Sequence, residues 1–296
     1  MALPHFQYHE PTSLAEACRM LKAFGDTAAL LAGGSDLLVR MKKRECQPKK
    51  IVSLVELEEL NQIKLTGRNK TIGACCTISR IAESKKIRST FPALAAGAGH
   101  LGSPLVRNIA TIGGNVATAS PAADMPPALV AYGARVRLIR EDRERFLPLE
   151  RLFRGPGATH LEKEEILADF HLEEPPAFSG AGCFKLGNRR ALQISIVNGA
   201  CFLALNPRSG EIQKARVVLG AVAPTLVRAC SAEDILTGEQ PGASLFLEAG
   251  EAAARDCSPI DDLRASAAYR KDMIRVLTAR TLEAALEEVR KTSERP

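Results

Sequence analysis

The sequence predicts an α+β protein built from more than one packed unit. Three observations carry that reading. The chain has 296 residues, enough for one large domain or two to three small ones. Its last third reads as strands followed by helices rather than as an alternation of the two. Ahead of that part, "EEPPAFSGAG" (173–182) has the Pro/Gly-rich composition of a linker.

The elements follow in order. "TSLAEACRMLKAFG" predicts a helix. Leu14, Ala17, Cys18, Leu21 and Phe24 share one face, Ser13 and Glu16 have capping-box spacing, and Gly25 supplies the stop. The strand "AALLA" follows and ends in a glycine turn. Next come a strand around 51–54, a short acidic turn, and a hairpin with strands near 63–66 and 71–73 and "RNK" at its tip. A helix begins near Thr77. Residues 91–140 are rich in Gly, Ala, Ser, Thr and Pro, small residues that let backbone approach backbone or a ligand. "ARVRLIRED" and "ERFLPLE" predict a strand pair joined by a charged turn, followed by a strand near 166–170. Beyond the linker, "CFKLGNRRALQISIVNGACFLALN" and "KARVVLGAVAPTLVRA" lead to helices at about 244–256 and 265–293. In the last one Ile274, Leu277, Leu282, Ala285 and Val289 form a stripe. There is no internal repeat.

Composition narrows the function. Apolar (46%) and charged (25%) fractions are those of an ordinary globular protein. No apolar stretch is long enough to span a bilayer, and the N-terminus lacks the pattern of a secretory signal, so a cytoplasmic location is the default expectation. A net charge of +6 without a long basic block, with three tyrosines and no tryptophan, argues against nucleic-acid binding. The eight cysteines are scattered, with no CxxC. Cys75 and Cys76 are adjacent, and on a strand they would point to opposite faces, a poor shared ligand pair. No metal site is expected, and reduced, buried thiols are. The five histidines are isolated, with no Ser-His-Asp or Cys-His pairing, and read as structural.

Two glycine pairs remain: "AGGSD" (32–36) and "TIGGN" (111–115). Neither is a G-x-G-x-x-G nor a G-x-x-x-x-G-K phosphate loop. The residues leave two readings open, tight turns or an anion cradle. In a cradle, glycines let successive N–H groups converge on an anion, and Ser35, Thr111 and Asn115 add side-chain donors. On that reading Gly114 is expected at φ > 0, with valine excluded there by backbone and ligand alike. Downstream stand Thr118 and Asp124. Asp124 either accepts from a hydroxyl or ring N–H, or caps the segment that enters Pro126-Pro127.

Taken together and in order, "LLAGGSDLL", "GSPLVRNIATIGGNVATASPAAD", "EEIL", "FKLGNRR" and "RASAAYRKDM" resemble the FAD-binding medium subunit of the molybdenum hydroxylases, the xanthine dehydrogenase and carbon monoxide dehydrogenase group. The resemblance covers nearly the whole chain. It implies an FAD-binding fold of the p-cresol methylhydroxylase type over about 1–175, with two α/β subdomains at about 1–57 and 58–175. A C-terminal domain of antiparallel sheet and helices would follow at about 178–290. By motif position it implies that Leu30, Leu31, Ala32, Gly33, Gly34, Ser35 and Asp36, with Thr111, Ile112, Gly113, Gly114 and Asn115, hold the FAD diphosphate. Thr118 and Asp124 would reach the ribityl chain or flavin edge, Leu167 and Lys185 the isoalloxazine, and Leu101 the ring face. Lys185 would stabilise negative charge on reduced flavin; its bland alternative is a solvent-exposed lysine. "RASAAYRKDM" would tie the last helix to its domain.

The implied partners are a small subunit with two two-iron clusters and a large subunit with molybdopterin. Electrons would leave from this chain to NAD or another acceptor, and no residue here would act as a catalytic acid or base. Two features depart from parts of the family. Gln193 stands where many relatives carry an aspartate, and the cysteine-rich insertion of the hydroxybenzoyl-CoA reductase branch is missing. Rival readings are a self-sufficient FAD-dependent oxidoreductase of the same fold and a flavin-less assembly subunit; intact glycine loops argue against the latter.

Overall fold

The structure, a computed structural model, describes residues 2–67, 69–189 and 192–293. It opens with a small parallel sheet made by β1 (Gln7–His9), β2 (Ala28–Leu31) and β3 (Lys50–Ser53), in the order β1-β3-β2. Helix α1 (Leu14–Phe24) covers it with Leu14, Ala17, Cys18 and Leu21, packed in one cluster with Val52 and Leu54. Ser13 Oγ accepts the Glu16 N–H at 3.2 Å, and Gly25 ends the helix at φ 53°. The capping box is only half as expected. The Glu16 carboxylate accepts from the Thr12 N–H (2.7 Å) and hydroxyl (2.8 Å), one residue earlier than the usual partner. Helix α2 (Leu37–Lys42) leads from β2 to β3.

A five-stranded antiparallel sheet follows, in the order β4-β5-β10-β6-β7. Its strands are β4 (Ile63–Lys64), β5 (Asn69–Gly73), β6 (Arg135–Arg140), β7 (Arg143–Pro148) and β10 (Ile166–Glu173); β8 (Phe153–Gly155) and β9 (Ala158–Thr159) pair separately. Of the expected tip "RNK", Arg68 lies outside the described residues, while Asn69 and Lys70 already belong to β5. The central strand β10 serves two cores. Ile166 and Ala168 face the cluster under α1. After a register shift between Leu167 and Asp169, Phe170 and Leu172 join Leu167 in the main core. Cys75 and Cys76 lie in the turn after β5 rather than on a strand, but they do point to different cores.

The helix expected near Thr77 is α3 (Ile78–Glu83), and α4 (Lys85–Thr90) follows it; the small-residue segment then resolves into α5 (Pro92–His100), α6 (Pro104–Ile109), α7 (Ile112–Ala117) and α8 (Met125–Ala131). Periodicity could not reveal them. α5 and α8 are buried on most sides, so they carry no polar face to contrast with an apolar one.

The last unit is a four-stranded antiparallel sheet, β11 (Ser179–Leu186), β12 (Val197–Leu205), β13 (Ile212–Gly220) and β14 (Val227–Arg228). Helices α9 (Cys230–Leu236), α10 (Ala243–Arg255) and α11 (Ala267–Ser293) cover one face. Alternation along β12 divides its side chains. Val197, Cys201 and Leu203 pack beneath these helices, while Ala200, Phe202 and Ala204 join the main core. This sheet is therefore welded to the preceding unit. The expected linker shortens to 174–178, because residues 179–182 are strand. Gly180 is required there by packing: a Cβ on it would lie 2.2 Å from the Ala285 carbonyl oxygen of α11. Helix α9 was not legible in the sequence. Arg270 of "RASAAYRKDM" is 2% exposed, bonds the Ile196 and Ala221 carbonyls, and pairs with Asp262 at 2.7 Å. It ties α11 to the sheet. Among the described residues, no helix is long and apolar enough to cross a membrane.

Candidate functional site

A cavity of about 610 Å³ lies where the three units meet. That is within the range of small-molecule and cofactor sites. Its polar edge is built from the two glycine loops, and they do different things.

At the first loop, β2 ends and Gly34, at φ 69°, turns the chain into α2. Gly33 is needed for contact. A Cβ on it would sit 2.0 Å from the Ile109 carbonyl oxygen and 2.9 Å from Ala110 Cα, so the two loops meet through bare backbone just before Thr111. The N–H groups of Gly33, Gly34, Ser35 and Asp36 make no hydrogen bond among the described residues. A row of unspent donors beside a cavity suits an anion.

The second loop is the N-terminus of α7, and its backbone donors are already used. The Ile112 N–H reaches the Cys76 carbonyl (3.0 Å), Gly113 the Ala74 carbonyl (2.8 Å), Gly114 the Thr111 hydroxyl (3.1 Å) and Asn115 the Thr111 carbonyl (3.0 Å). Neither glycine has a positive φ, contrary to the expectation for Gly114. This loop offers side chains instead. Asn115 Oδ1 accepts the Met125 N–H at 3.1 Å, which leaves the Nδ2 donors uncommitted. Thr118 donates to the Gly114 carbonyl (2.8 Å) and keeps its lone pairs free.

The cavity lining gathers Leu30, Ala32, Gly33, Gly34, Ser35, Asp36, Leu101, Thr111, Gly113, Gly114, Asn115, Thr118 and Leu167 of the expected residues. Leu31 and Ile112 fall outside it. Leu31 follows Leu30 on a strand and faces the other way, and Ile112 is fully buried in the main core. Asp124 and Lys185 also fall outside it. They pair with each other at 2.7 Å in a smaller pocket between the second unit and the C-terminal sheet. Their side chains are 10% and 3% exposed, so Lys185 is no surface lysine. Nor is Asp124 a helix cap: it precedes α8, but its carboxylate makes no capping bond, and Asn115 takes that place. Ser195 Oγ donates to Asp124 Oδ1 at 3.3 Å, and Lys185 also reaches the His100 carbonyl at 3.2 Å. Burial pushes the Asp124 carboxyl above its ordinary range, and Lys185, Ser195 and His100 only partly counter that. The same C-terminal sheet holds the neighbouring backbone, through the Ala221 N–H on the Pro121 carbonyl (2.7 Å) and Asn198 Nδ2 on the Ala123 carbonyl (2.9 Å).

Sequence reasoning missed several lining residues. Leu54 follows β3, beside the loop after β2, and the rule that ligands gather beyond the C-terminal ends of parallel strands could have found it. Ser120 stood inside a quoted motif. Glu165 likewise stood inside the quoted "EEIL", whereas Leu161 and Ile194 carried no local signal. Gln193 has a buried Oε1 without a hydrogen-bond partner among the described residues; Arg190 of the adjoining "RR" lies outside them.

Residues 4–174 match the family model for the FAD binding domain in molybdopterin dehydrogenase. The chain belongs to the FAD-binding subunits of the molybdenum hydroxylases. Residues 182–285 of this FAD-binding subunit match the CO dehydrogenase flavoprotein C-terminal domain. It is 30% identical over 281 residues to the putative xanthine dehydrogenase FAD-binding subunit of Escherichia coli, covering 94% of this chain and 95% of that one. It is 30% identical over 285 residues to the carbon monoxide dehydrogenase medium chain of Hydrogenophaga pseudoflava, covering 96% and 98%. A solved structure of carbon monoxide dehydrogenase from Hydrogenophaga pseudoflava superposes with a TM-score of 0.91 at 32% identity, covering 97% and 99%. The FAD-binding subunit is thus an oxidoreductase subunit, with an FAD-binding domain followed by a C-terminal domain. The cavity fits such a cofactor: unspent N–H donors line one edge, and Leu30, Leu54, Leu101 and Leu167 supply apolar walls.

Proposed function

We propose that the chain is the FAD-carrying electron-transfer subunit of a heteromeric molybdenum hydroxylase. It takes electrons from two-iron clusters of a small partner subunit and passes them to NAD or another acceptor, with molybdopterin in a large partner subunit. The observation that carries this is the row of free N–H groups from Gly33 to Asp36, joined through Gly33 to the second loop. Bound FAD supplies one- and two-electron chemistry. The chain's own residues bind and orient. The N–H groups of Gly33 to Asp36 and Asn115 Nδ2 hold the diphosphate, Leu101 and Leu167 flank the ring and keep water out, and Thr118 accepts from the ribityl chain. The Ala221 N–H, Asn198 and the Lys185–Asp124 pair fix the segment from Pro121 to Asp124 to the C-terminal sheet.

The test is the visible absorption spectrum of the purified protein, repeated after heat release with the released flavin identified. Flavin bands, released FAD and no iron–sulfur shoulder are expected. The chain has no tryptophan to crowd flavin fluorescence. Turnover of an organic substrate by the isolated chain would favour a self-sufficient flavoenzyme. A colourless protein that fails to take up FAD would leave an assembly subunit and return the glycines to tight turns.

Asn115→Asp tests the donor assignment. The carboxylate can still accept the Met125 N–H, but it presents an anion where Asn115 presents a donor. FAD affinity is expected to fall by about 1.5–3 kcal/mol, the worth of a hydrogen bond to a charged group. The melting temperature of the FAD-free protein should hold. Unchanged affinity in a flavin titration would place Nδ2 away from the diphosphate.

A further inference from the structure

One wall of the cavity is the connection 160–165, which runs from β9 to β10. It contributes Leu161 and Glu165 to the lining, and Ile166 and Leu167 continue it. A buried carboxylate is an unexpected choice for the wall of a site that takes an anion, since it would repel its ligand. Glu165 has only 1% of its side chain exposed. Its charge is answered from behind the wall. Arg145, on the edge strand β7, donates Nε to Glu165 Oε1 (2.7 Å) and one terminal nitrogen to Oε2 (2.8 Å). That same nitrogen donates to the His160 carbonyl at 2.8 Å. One guanidinium therefore grips both ends of the connection.

Inside the connection, the Glu162 N–H donates to Glu165 Oε2 at 2.7 Å, and Glu164 holds a left-handed φ of 67°. A non-glycine residue keeps that conformation only where its surroundings over-determine it. Arg143, also on β7, adds a bond to Glu162, more exposed and therefore weaker. Burial raises the Glu165 carboxyl, but its hydrogen bonds to Arg145 and the Glu162 N–H outweigh this and hold it below its ordinary range.

We propose that Arg145 and Glu165 are positioning residues for the cofactor: their fork sets the connection 160–165 in its cavity-walling shape before any cofactor enters. This rests on the reading of the cavity as the FAD site. A purely structural pair would make the same contacts but would matter to folding rather than to binding. A preset wall spares the cofactor the cost of ordering it.

The test uses full-length protein stripped of flavin. Arg145→Met with Glu165→Gln removes both charges at once, so no buried charge is left alone. In this double variant, lysine-specific proteolysis at Lys163 should quicken and be slowed again by added FAD. FAD should bind about tenfold more weakly, while the melting temperature of the flavin-free protein stays near that of the wild type. Arg145→Lys keeps the charge but loses the fork and should fall between. Arg143→Met should behave as wild type. The proposal is overturned if the double variant keeps both wild-type affinity and wild-type protection at Lys163. It is also overturned if stability and affinity fall together, which is the mark of a structural pair. Should the wild type bind no FAD, the reading of the cavity fails; the rate of cleavage at Lys163 would still show whether the fork orders the connection.

Discussion

Gly33→Ala is expected to abolish FAD retention and to destabilise the protein, whereas Gly114→Val should abolish retention at a smaller cost in stability. The two glycines look alike in the sequence and differ in what surrounds them. A Cβ at Gly33 meets backbone, the Ile109 carbonyl oxygen at 2.0 Å and Ala110 Cα at 2.9 Å. Backbone cannot swing aside as a side chain can, so the loops must separate. Overpacking of this kind costs about 1–3 kcal/mol, occasionally more. Separation also displaces the free N–H groups of Gly33 to Asp36 from the second loop. At Gly114 a Cβ meets only the Thr111 hydroxyl, at 2.9 Å, and φ is not positive. A valine there extends into the lining of the cavity at little backbone cost; disturbing the Thr111 cap costs about 1 kcal/mol. Urea denaturation of flavin-free protein and flavin titration separate the two effects. A Gly33→Ala variant with wild-type stability and wild-type FAD content would refute the contact between the loops as the organiser of the site.

Lys185→Met should lower stability by about 3–5 kcal/mol near neutral pH, because it strands the buried Asp124 carboxylate. The effect has a pH signature. Burial already holds the Asp124 carboxyl above its ordinary value of 3.8, with Lys185 the largest influence against it. Without Lys185 the folded-state value rises further. Between 3.8 and that raised value, the folded state binds more protons than the unfolded one. Stability in this window therefore falls as pH rises and returns as pH drops toward the unfolded value. The deficit of Lys185→Met should shrink in mildly acidic buffer and grow as pH rises through that window. Adding Asp124→Asn should remove most of the deficit and its pH dependence. A deficit equal at both ends of the range, and untouched by Asp124→Asn, would mean that the lysine acts through its alkyl packing.

Both predictions turn on features that the residues alone did not disclose. The motif "TIGGN" reads as a second anion cradle because glycines permit converging N–H groups. Folding spends those donors on Cys76, Ala74 and Thr111, the first two 36 and 39 residues away from their donors and the last within the motif itself. Asp124 reads as either a ligand contact or a helix cap. Its carboxylate makes no capping bond and pairs with a lysine of the C-terminal sheet, 61 residues further on. The helix expected near Thr77 is α3, but α5 and α8 are not legible, because burial on most sides erases the polar stripe that periodicity detects.

The sequence by itself determined the α+β class and α1 with its serine and glycine ends. It also determined the strand pair Arg135–Arg140 with Arg143–Pro148, the last two helices, and the pairing of two glycine loops as the place to look. These are local properties: side-chain period, cap chemistry and turn residues act over a few positions. Only the tertiary structure decided which loop keeps its donors free, why Gly33 has no side chain, and that Lys185 and Asp124 answer each other. It alone placed Arg145 behind Glu165 at the cavity wall. Each of these depends on atoms brought together from distant parts of the chain, and whether a donor is spent or a charge is paired is settled only by what packs against it.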